Sequence, residues 1–424
     1  MNKPPDANEI ARALRRQSRR WTDEGQNPMA IGCPPCIEFG KCGGLFTKQK
    51  SVDCLADCCG NPKNCQIVCP RNPQAYLLAM QEVDSFDFDN IPRHVARDVP
   101  ALPIYAPLIY HGNSHRKPLE LEAAAIFFHE LYRRRDGSLR CENRAQIEKR
   151  FGLAPGTKII LVGSGPDTPI EGWWGLSNKR HDVIKFFADQ GCELATSPNY
   201  SLFTDIPRFS DLYNIKKVLK AWQEFGAFGQ LCALHVNART QRDYERFIEF
   251  IEDRSEITNV SFEFGTGAAC ASRLPYHRHY LATLGRFVSR PLHFTMVGGI
   301  NAVPALARAY AGLTFIDTSA FVKAVQRKRL HEGNDGKISD TNAPTEPGVP
   351  IDELLAHNIE LMRGRIERLV KNARELPQVR YIAPKPGSPE RRLFVRPAQS
   401  SRSASAPQSS ARDRRSGNVD PHSR

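Results

Sequence analysis

The chain has 424 residues, 41% of them hydrophobic, and a formal net charge of +13. This length suits one large domain with additions, or two domains, and the apolar content is ordinary for a buried core. No apolar run approaches the ~20 residues that a membrane span needs, and residues 1–20 lack the apolar stretch of a secretory signal. We therefore expect a soluble cytoplasmic protein that is not inserted in a membrane.

The first 30 residues carry arginines on a predicted short helix at 7–21. Basic clusters recur along the chain, at residues 12–20, 133–135 and 327–329. This distribution favours a polyanionic partner, with nucleic acid ahead of a membrane. Solvated surface positions would account for the same clusters.

Residues 31–72 form a cysteine-rich module. The module holds eight of the 12 cysteines, namely Cys33, Cys36, Cys42, Cys54, Cys58, Cys59, Cys65 and Cys69. In a reducing compartment this density indicates metal ligation rather than a disulfide framework. Eight thiolates suffice for two four-cysteine sites, which suit either zinc or iron–sulfur clusters. The alternative is a module that merely stabilises a small domain.

After a connector at 73–100, residues 101–335 alternate short apolar runs with amphipathic helical patterns. Seven strands are predicted, at 106–110, 158–162, 193–197, 231–236, 260–264, 292–297 and 313–317. An eighth lies either in the connector or near 124–128. The helical patterns between the strands fall at 181–190, 209–225, 243–253 and 304–310. The strands are apolar throughout, as expected of parallel strands buried on both faces.

This order predicts an α/β fold, either an open doubly wound sheet or a complete or incomplete TIM-like (β/α) barrel. Polar residues and glycines follow most of the strands, and only in a barrel would all of these positions meet at one mouth. We therefore predict a barrel. The positions are His111, Gly163, Asn199, Asn237, Glu263, Gly298 and Asp317.

Three of the residues at the strand ends are candidate catalytic groups. Asp317 ends the last strand and is either a base or nucleophile, or the cap of the next helix. Glu263 lies between two phenylalanines, where a buried carboxylate needs either a hydrogen-bonding partner or a functional role. His235 follows the preceding strand and is either catalytic or a satisfied core histidine.

Other residues are candidates for substrate binding. Gly298, Gly299 and Asn301 open a helix after a strand, an arrangement that can admit an anion to backbone amides. Asn237 follows another strand. The segment 197–207 is polar, aromatic and prone to turns, and within it Asn199, Tyr200 and Asp205 are candidates to bind a base or sugar. Capping of the next helix is the alternative for this segment.

The last zone, 336–396, contains a predicted helix at 351–371 after a loop at 333–350. The tail at 397–424 is rich in Ser, Arg, Ala and Pro, and this composition predicts disorder.

Two resemblances concern the barrel. The run Ser-Pro-Asn-Tyr-Ser-Leu-Phe-Thr-Asp-Ile-Pro at 197–207 resembles a motif of a domain family of unknown function from phages and mobile elements, with Asn199 where that family has an aspartate. Residues 292–319, with Gly298, Gly299 and Asp317, resemble the end of the barrel in tRNA-guanine transglycosylases. That resemblance implies that Asp317 attacks a nucleoside and that the glycine loop binds the base.

Three functions remain open at this point. The first is an enzyme that modifies a nucleic-acid base or nucleotide by transglycosylase-like chemistry, with the cysteine module docking nucleic acid. The second is a non-enzymatic nucleic-acid-binding protein of a phage or mobile element. The third is a barrel enzyme acting on a small phosphorylated metabolite.

Overall fold

A computed structural model describes residues 29, 33, 39–44, 80–98, 100–202, 208–265, 273–334, 336–346 and 348–376. The predicted helix at 7–21, Asp205, the C-terminal tail and all cysteines of the module except Cys33 and Cys42 lie outside these residues.

Eight parallel strands form a single sheet. They are β1 (Tyr105–Pro107), β2 (Ala123–Phe127), β3 (Lys158–Val162), β4 (Leu194–Thr196), β5 (Cys232–His235), β6 (Asn259–Glu263), β7 (His293–Val297) and β8 (Gly312–Asp317). From β2 to β8 each strand pairs with the next one in the chain, and β8 pairs with β1. The remaining join, between β1 and β2, is a single bridge from Leu108 to Ala125. The sheet is therefore nearly closed into a barrel.

Helices follow the strands and cover the outside of the sheet. They are α1 (Arg144–Phe151), α2 (Asp167–Gly175), α3 (Lys179–Asp189), α4 (Arg208–Ala227), α5 (Gln241–Asp253), α6 (Leu274–Phe287), α7 (Val303–Ala307), α8 (Ser319–Val325) and α9 (Asp352–Glu375). Short 3-10 turns lie at Phe128–Glu130 and Ile300–Ala302, and a short helix at Phe39–Cys42. Across the described ranges, no helix is long and apolar enough to cross a membrane.

The strand predictions are confirmed, and β2 is the eighth strand. Four helices are absent from the predicted patterns, namely α1, α2, α6 and α8. Helix α2, with the sequence DTPIEGWWG, carries a proline and two glycines, which lower its helix propensity. The predicted loop at 333–350 contains a further strand, β10 (Ile338–Asn342), paired antiparallel with β9 (Lys328–Glu332).

Alternation along the strands separates two apolar regions. One face of the strands builds a small barrel interior of Ala106, Leu108, Ala123, Ala125, Ile160, Val162, Leu194, Ala233 and Ile316. The other face packs against the helices in the main core. Because successive side chains of a strand point to opposite faces, the strand register decides which residues point into the barrel.

The C-terminal helix α9 belongs to the barrel. The Asp352 carboxylate accepts hydrogen bonds from the backbone amides of Arg116 (3.0 Å) and Lys117 (2.7 Å), in the loop after β1. The buried Asn358 accepts from the amide of Leu330 at 2.9 Å and donates to the carbonyl of Lys328 at 3.0 Å. These bonds join α9 to both the barrel and strand β9.

Candidate functional site

The carboxylate of Glu263 lies at the mouth of the barrel, on the interior side of the sheet. Glu263 is paired with Val297 on β7, and Val297 with Ile316 on β8. Ile316 is part of the barrel interior, and Val297 packs against it. Paired residues share a face, so Glu263 continues the interior face at the carboxyl end of β6. The residue is only 7% exposed.

Asn199, after β4, reaches this carboxylate across the mouth. Its Nδ2 donates to Oε2 of Glu263 at 3.4 Å. Its backbone amide donates to the carbonyl of Gly163 at 3.2 Å, and the amide of Gly163 donates to Oγ1 of Thr196 at 2.8 Å. A Cβ on Gly163 would lie 2.2 Å from the carbonyl of Thr196, so this close approach requires glycine. The structure thus joins two predicted site residues that are 64 positions apart.

Glycine backbone borders the carboxylate. A Cβ on Gly265 would lie 2.5 Å from Oε1 of Glu263, and a Cβ on Gly298 would lie 3.6 Å from the amide nitrogen of Gly265. Gly298 and Gly299 both have positive φ, at 69° and 74°. Gly265 therefore presents backbone to the carboxylate, and Gly298 lies against Gly265. Asn301 lies farther along, exposed in the 3-10 turn.

Neighbouring elements hold the segment 199–201 in place. Asn237 Nδ2 donates to the carbonyl of Tyr200, and Asn214 Nδ2 on α4 donates to the carbonyl of Ser201 at 2.8 Å. Ser201 Oγ donates to Oδ1 of Asp167 at 2.5 Å. Tyr200 itself is fully buried, so its ring packs inside the protein and is not presented for stacking on a ligand. Asn237 therefore supports the segment rather than facing Glu263.

His235 lies in an apolar setting beside the mouth. Its ring stacks on Phe262 with centroids 5.6 Å apart, and burial lowers its pKa to about 3. His277 on α6 contacts Phe262 at 5.1 Å, and its Nδ1 lies 2.7 Å from the hydroxyl of Tyr244. Burial lowers the pKa of His277 to about 3 as well. Both imidazoles are neutral at physiological pH, so His235 carries no charge to offer a substrate.

Asp317 is engaged with helix α8. Its Oδ2 accepts from the amide of Ser319 at 3.0 Å, and its Oδ1 from the Ser319 hydroxyl at 2.9 Å. Burial raises the pKa of Asp317, and the hydrogen bonds from α8 only partly oppose this. Asp317 immediately follows the interior residue Ile316 and therefore lies on the opposite face of β8. Helix capping is the role for which the structure shows contacts.

Sequence reasoning missed several residues around the site. Asn214 and Lys217 lie in α4, where both side chains are buried against the segment 199–201. Arg239, after β5, forms a buried ion pair with Asp211 at 2.7 Å. The one available signal was the polar content of an otherwise apolar helix, because buried lysine and aspartate need partners.

Little of the cysteine module is among the described residues. Cys33 is buried against Met29 and Phe39, and the carbonyl of Gly40 accepts from Nε of Arg242 on α5 at 3.2 Å. Within the ranges that the structure describes, no group of three His, Cys, Asp or Glu residues could hold a metal ion. The predicted metal ligands therefore remain a prediction. Outside the module, Cys141, Cys192 and Cys232 are buried free thiols.

Neither comparison with known proteins identifies a family for the chain. No protein-family model matches it, and no curated protein sequence matches it.

Proposed function

We propose that the protein is an enzyme acting on a nucleic-acid base or nucleotide, bound at the mouth of the barrel against Glu263 and Asn199. The observation that carries the proposal is the hydrogen-bonded pair of these two side chains at the carboxyl ends of β6 and β4. Active sites of (β/α) barrels lie at this end of the strands. The contact also gives a buried carboxylate a hydrogen-bonding partner.

The chemistry of the pair suits the edge of a base. An ionised carboxylate only accepts hydrogen bonds, whereas an amide both donates and accepts. Guanine presents two adjacent N–H donors beside a carbonyl, which matches this combination, and enzymes that act on bases read such edges by hydrogen bonding. Gly265 has no side chain beside Glu263, which suits the approach of a flat ring. In this proposal Glu263 binds the base and moves a proton as general acid or base.

The proposal assigns no covalent step to Asp317. Both of its oxygens accept hydrogen bonds from Ser319, and the side chain lies on the helix-facing side of β8. Transglycosylase-like attack by this residue would require α8 to give up those bonds. Glu263 is therefore the proposed reacting group, and His235 is a neutral neighbour.

A polymeric substrate is supported by a hairpin on the flank of the barrel, residues 131–140, closed by a bridge between Tyr132 and Leu139. It presents Arg133, Arg134 and Arg135, all exposed. Its one carboxylate, Asp136, accepts from the amide and hydroxyl of Ser138 at 2.9 and 2.7 Å. Exposed guanidinium groups suit phosphates. The same hairpin supports the second candidate, a nucleic-acid-binding protein without catalysis.

We further propose that the eight cysteines of residues 31–72 hold zinc or an iron–sulfur cluster, because eight thiolates suffice for two four-cysteine sites. Elemental analysis of protein purified without oxygen is expected to find zinc, or iron with sulfide. A metal-free protein with reduced cysteines would refute this part of the proposal.

The test of the main proposal is binding of free guanine, adenine, cytosine and uracil, measured by isothermal titration calorimetry. We expect guanine to bind best and Glu263→Gln to weaken it by about 10- to 100-fold, the effect of losing a hydrogen bond to a charged group. Glu360→Gln, on the exposed side of α9, is the matched control and should leave binding unchanged.

Two results would count against the enzyme. If no base binds to the wild-type protein, the proposed site is wrong. If a labelled single-stranded RNA binds while Glu263→Gln changes neither base nor RNA affinity, the non-catalytic candidate is favoured instead.

A further inference from the structure

Lys217, in the middle of α4, is a buried cation surrounded by aromatic rings. Its side chain is 2% exposed, and Nζ forms an ion pair with Oε2 of Glu171 at 2.6 Å. Nζ lies 3.9 Å from the ring centroid of Tyr200, 5.2 Å from that of Tyr213 and 5.6 Å from that of Trp174. We call Lys217 and these three rings the lysine box. Cation–π contacts gain strength when the cation is removed from water, as it is here.

Two aromatic rings of the lysine box are held in place by a residue from outside the barrel. Glu82 accepts from Nε1 of Trp174 at 2.6 Å through one oxygen and from the hydroxyl of Tyr213 at 2.8 Å through the other. Glu82 lies in the segment that precedes the barrel, next to Val83 and Phe86, which pack with Phe209 against α4. Two of the three rings therefore cannot turn away from Lys217 without breaking a hydrogen bond to a carboxylate.

The third ring connects the lysine box to the mouth of the barrel. Tyr200 directly follows Asn199, the residue whose amide touches Glu263. The hydroxyl of Tyr200 is buried and has no hydrogen-bond partner among the residues that the structure describes. The position of the ring therefore depends on its packing and on the cation over its face. Displacement of the Tyr200 ring from its packed position would remove a constraint on the adjoining backbone, which carries Asn199.

We infer that Lys217 is a positioning residue, whose ammonium holds Tyr200 in place and thereby keeps the amide of Asn199 against the carboxylate of Glu263. A neutral side chain at position 217 would leave the tyrosine ring without its cation and Glu171 without its ion pair. The segment 199–201 would then sample other conformations, and the pair at the mouth would separate. The ligand measurements below rest on the proposed function, whereas the hydrogen-exchange measurement does not.

The main variant is Lys217→Met, which keeps the length of the side chain and removes its charge. Lys220→Met, on the same helix and partly exposed, is the control. Hydrogen exchange followed by mass spectrometry should show about tenfold faster exchange in peptides that cover residues 197–202, and unchanged exchange in β7 and β8. Lys217→Arg retains a cation over the rings and should restore most of the protection.

A double-mutant cycle separates positioning from a general loss of structure. Lys217→Met should weaken guanine binding about tenfold in the wild-type background and have little further effect when Asn199→Ala is already present, because both changes remove the same contact. Equal losses in the two backgrounds would overturn the inference. Unchanged exchange at 197–202 would overturn it as well, whether or not guanine binds.

Glu82→Gln keeps the inference testable if Lys217→Met does not fold. Glu82 is exposed, and this variant weakens the charge-assisted bonds to Trp174 and Tyr213 without placing a new group in the core. It should accelerate exchange in the same peptide, by less than Lys217→Met. Exchange that rises evenly over the whole chain instead would contradict a positioning role.

Discussion

Glu263 and Asp317 each lie at the carboxyl end of a parallel strand, and each is buried, yet the structure uses them differently. Glu263 shares a face with the barrel interior and meets Asn199 from across the mouth. Asp317 is one residue beyond the interior position Ile316 and turns outward to the first turn of α8. The comparison shows that a strand end alone does not make a carboxylate available to substrate. A shift of one residue in register decides whether it faces the mouth or the helix layer.

The largest expected difference between the two strand ends is the stability that each loses at acidic pH. On the β6 side, His235 and His277 enclose Phe262, and burial lowers the pKa of both histidines to about 3. An unfolded histidine titrates near 6.5, so the unfolded chain binds more protons as the pH falls from about 6.5 towards 3, and the folded state loses stability in that window. At pH 5 the loss is about 2 kcal/mol for each histidine.

Urea unfolding at pH 7 and pH 5, with hydrogen exchange at both values, measures this effect. Exchange should rise in 259–263 before it rises in 312–317, and His235→Phe should reduce the pH dependence. Stability that is constant between pH 7 and pH 5 would show that these histidines are not held neutral.

A smaller effect is expected from the glycines of the β7 end, which lies between the two carboxylates. A Cβ on Gly299 would lie 2.5 Å from Cγ of Phe264, whereas a Cβ on Gly298 has its nearest neighbour at 3.6 Å. Because both residues have positive φ, either alanine is strained. Gly299→Ala should cost about 2–4 kcal/mol of unfolding free energy and Gly298→Ala about 1 kcal/mol. Thermal unfolding of the two variants side by side would reveal any reversal of this order.

The smallest expected effect concerns Asp317 itself. Asp317→Ala removes the acceptor for Ser319 and should cost about 1–2 kcal/mol, as for other lost helix caps. Asp317→Asn keeps an acceptor and removes a charge whose burial is unfavourable, so it should cost less at pH 7. Guanine binding should be the same in both variants. Chemical denaturation measures the change in unfolding free energy, and calorimetry measures guanine binding. A selective loss of binding in Asp317→Asn would show that Asp317 takes part in the reaction after all.

Much of the fold could be predicted from the sequence because buried parallel strands are continuous apolar runs. The interval 158–162 matches β3 to the residue, and only β2 had an uncertain location. Helix α2 was missed because its proline and glycines hide the helical pattern. Strand β10 was missed because ISDTN is polar and pairs at an exposed edge.

The site was harder to predict than the fold. The sequence identifies four strand-end residues, namely Asn199, Asn237, Glu263 and Asp317. It does not predict whether each side chain points to the mouth of the barrel or to the helix layer. Tyr200 seemed suited to stacking because it lies in a polar loop, yet Lys217 and Trp174 enclose its ring. Contacts between residues far apart in the chain decide these outcomes, and single-sequence patterns do not contain them.

The single bridge between Leu108 and Ala125, supported by the bond from the amide of Ile109 to the carbonyl of Ala125 at 2.9 Å, makes the barrel unevenly stiff. Every other join in the ring of eight strands has at least two residue pairs, so thermal breathing should concentrate between β1 and β2. In that ring the join between β5 and β6 lies diametrically opposite. Flexing at the join between β1 and β2 would leave the five residue pairs between β6 and β7, beside Glu263, in place.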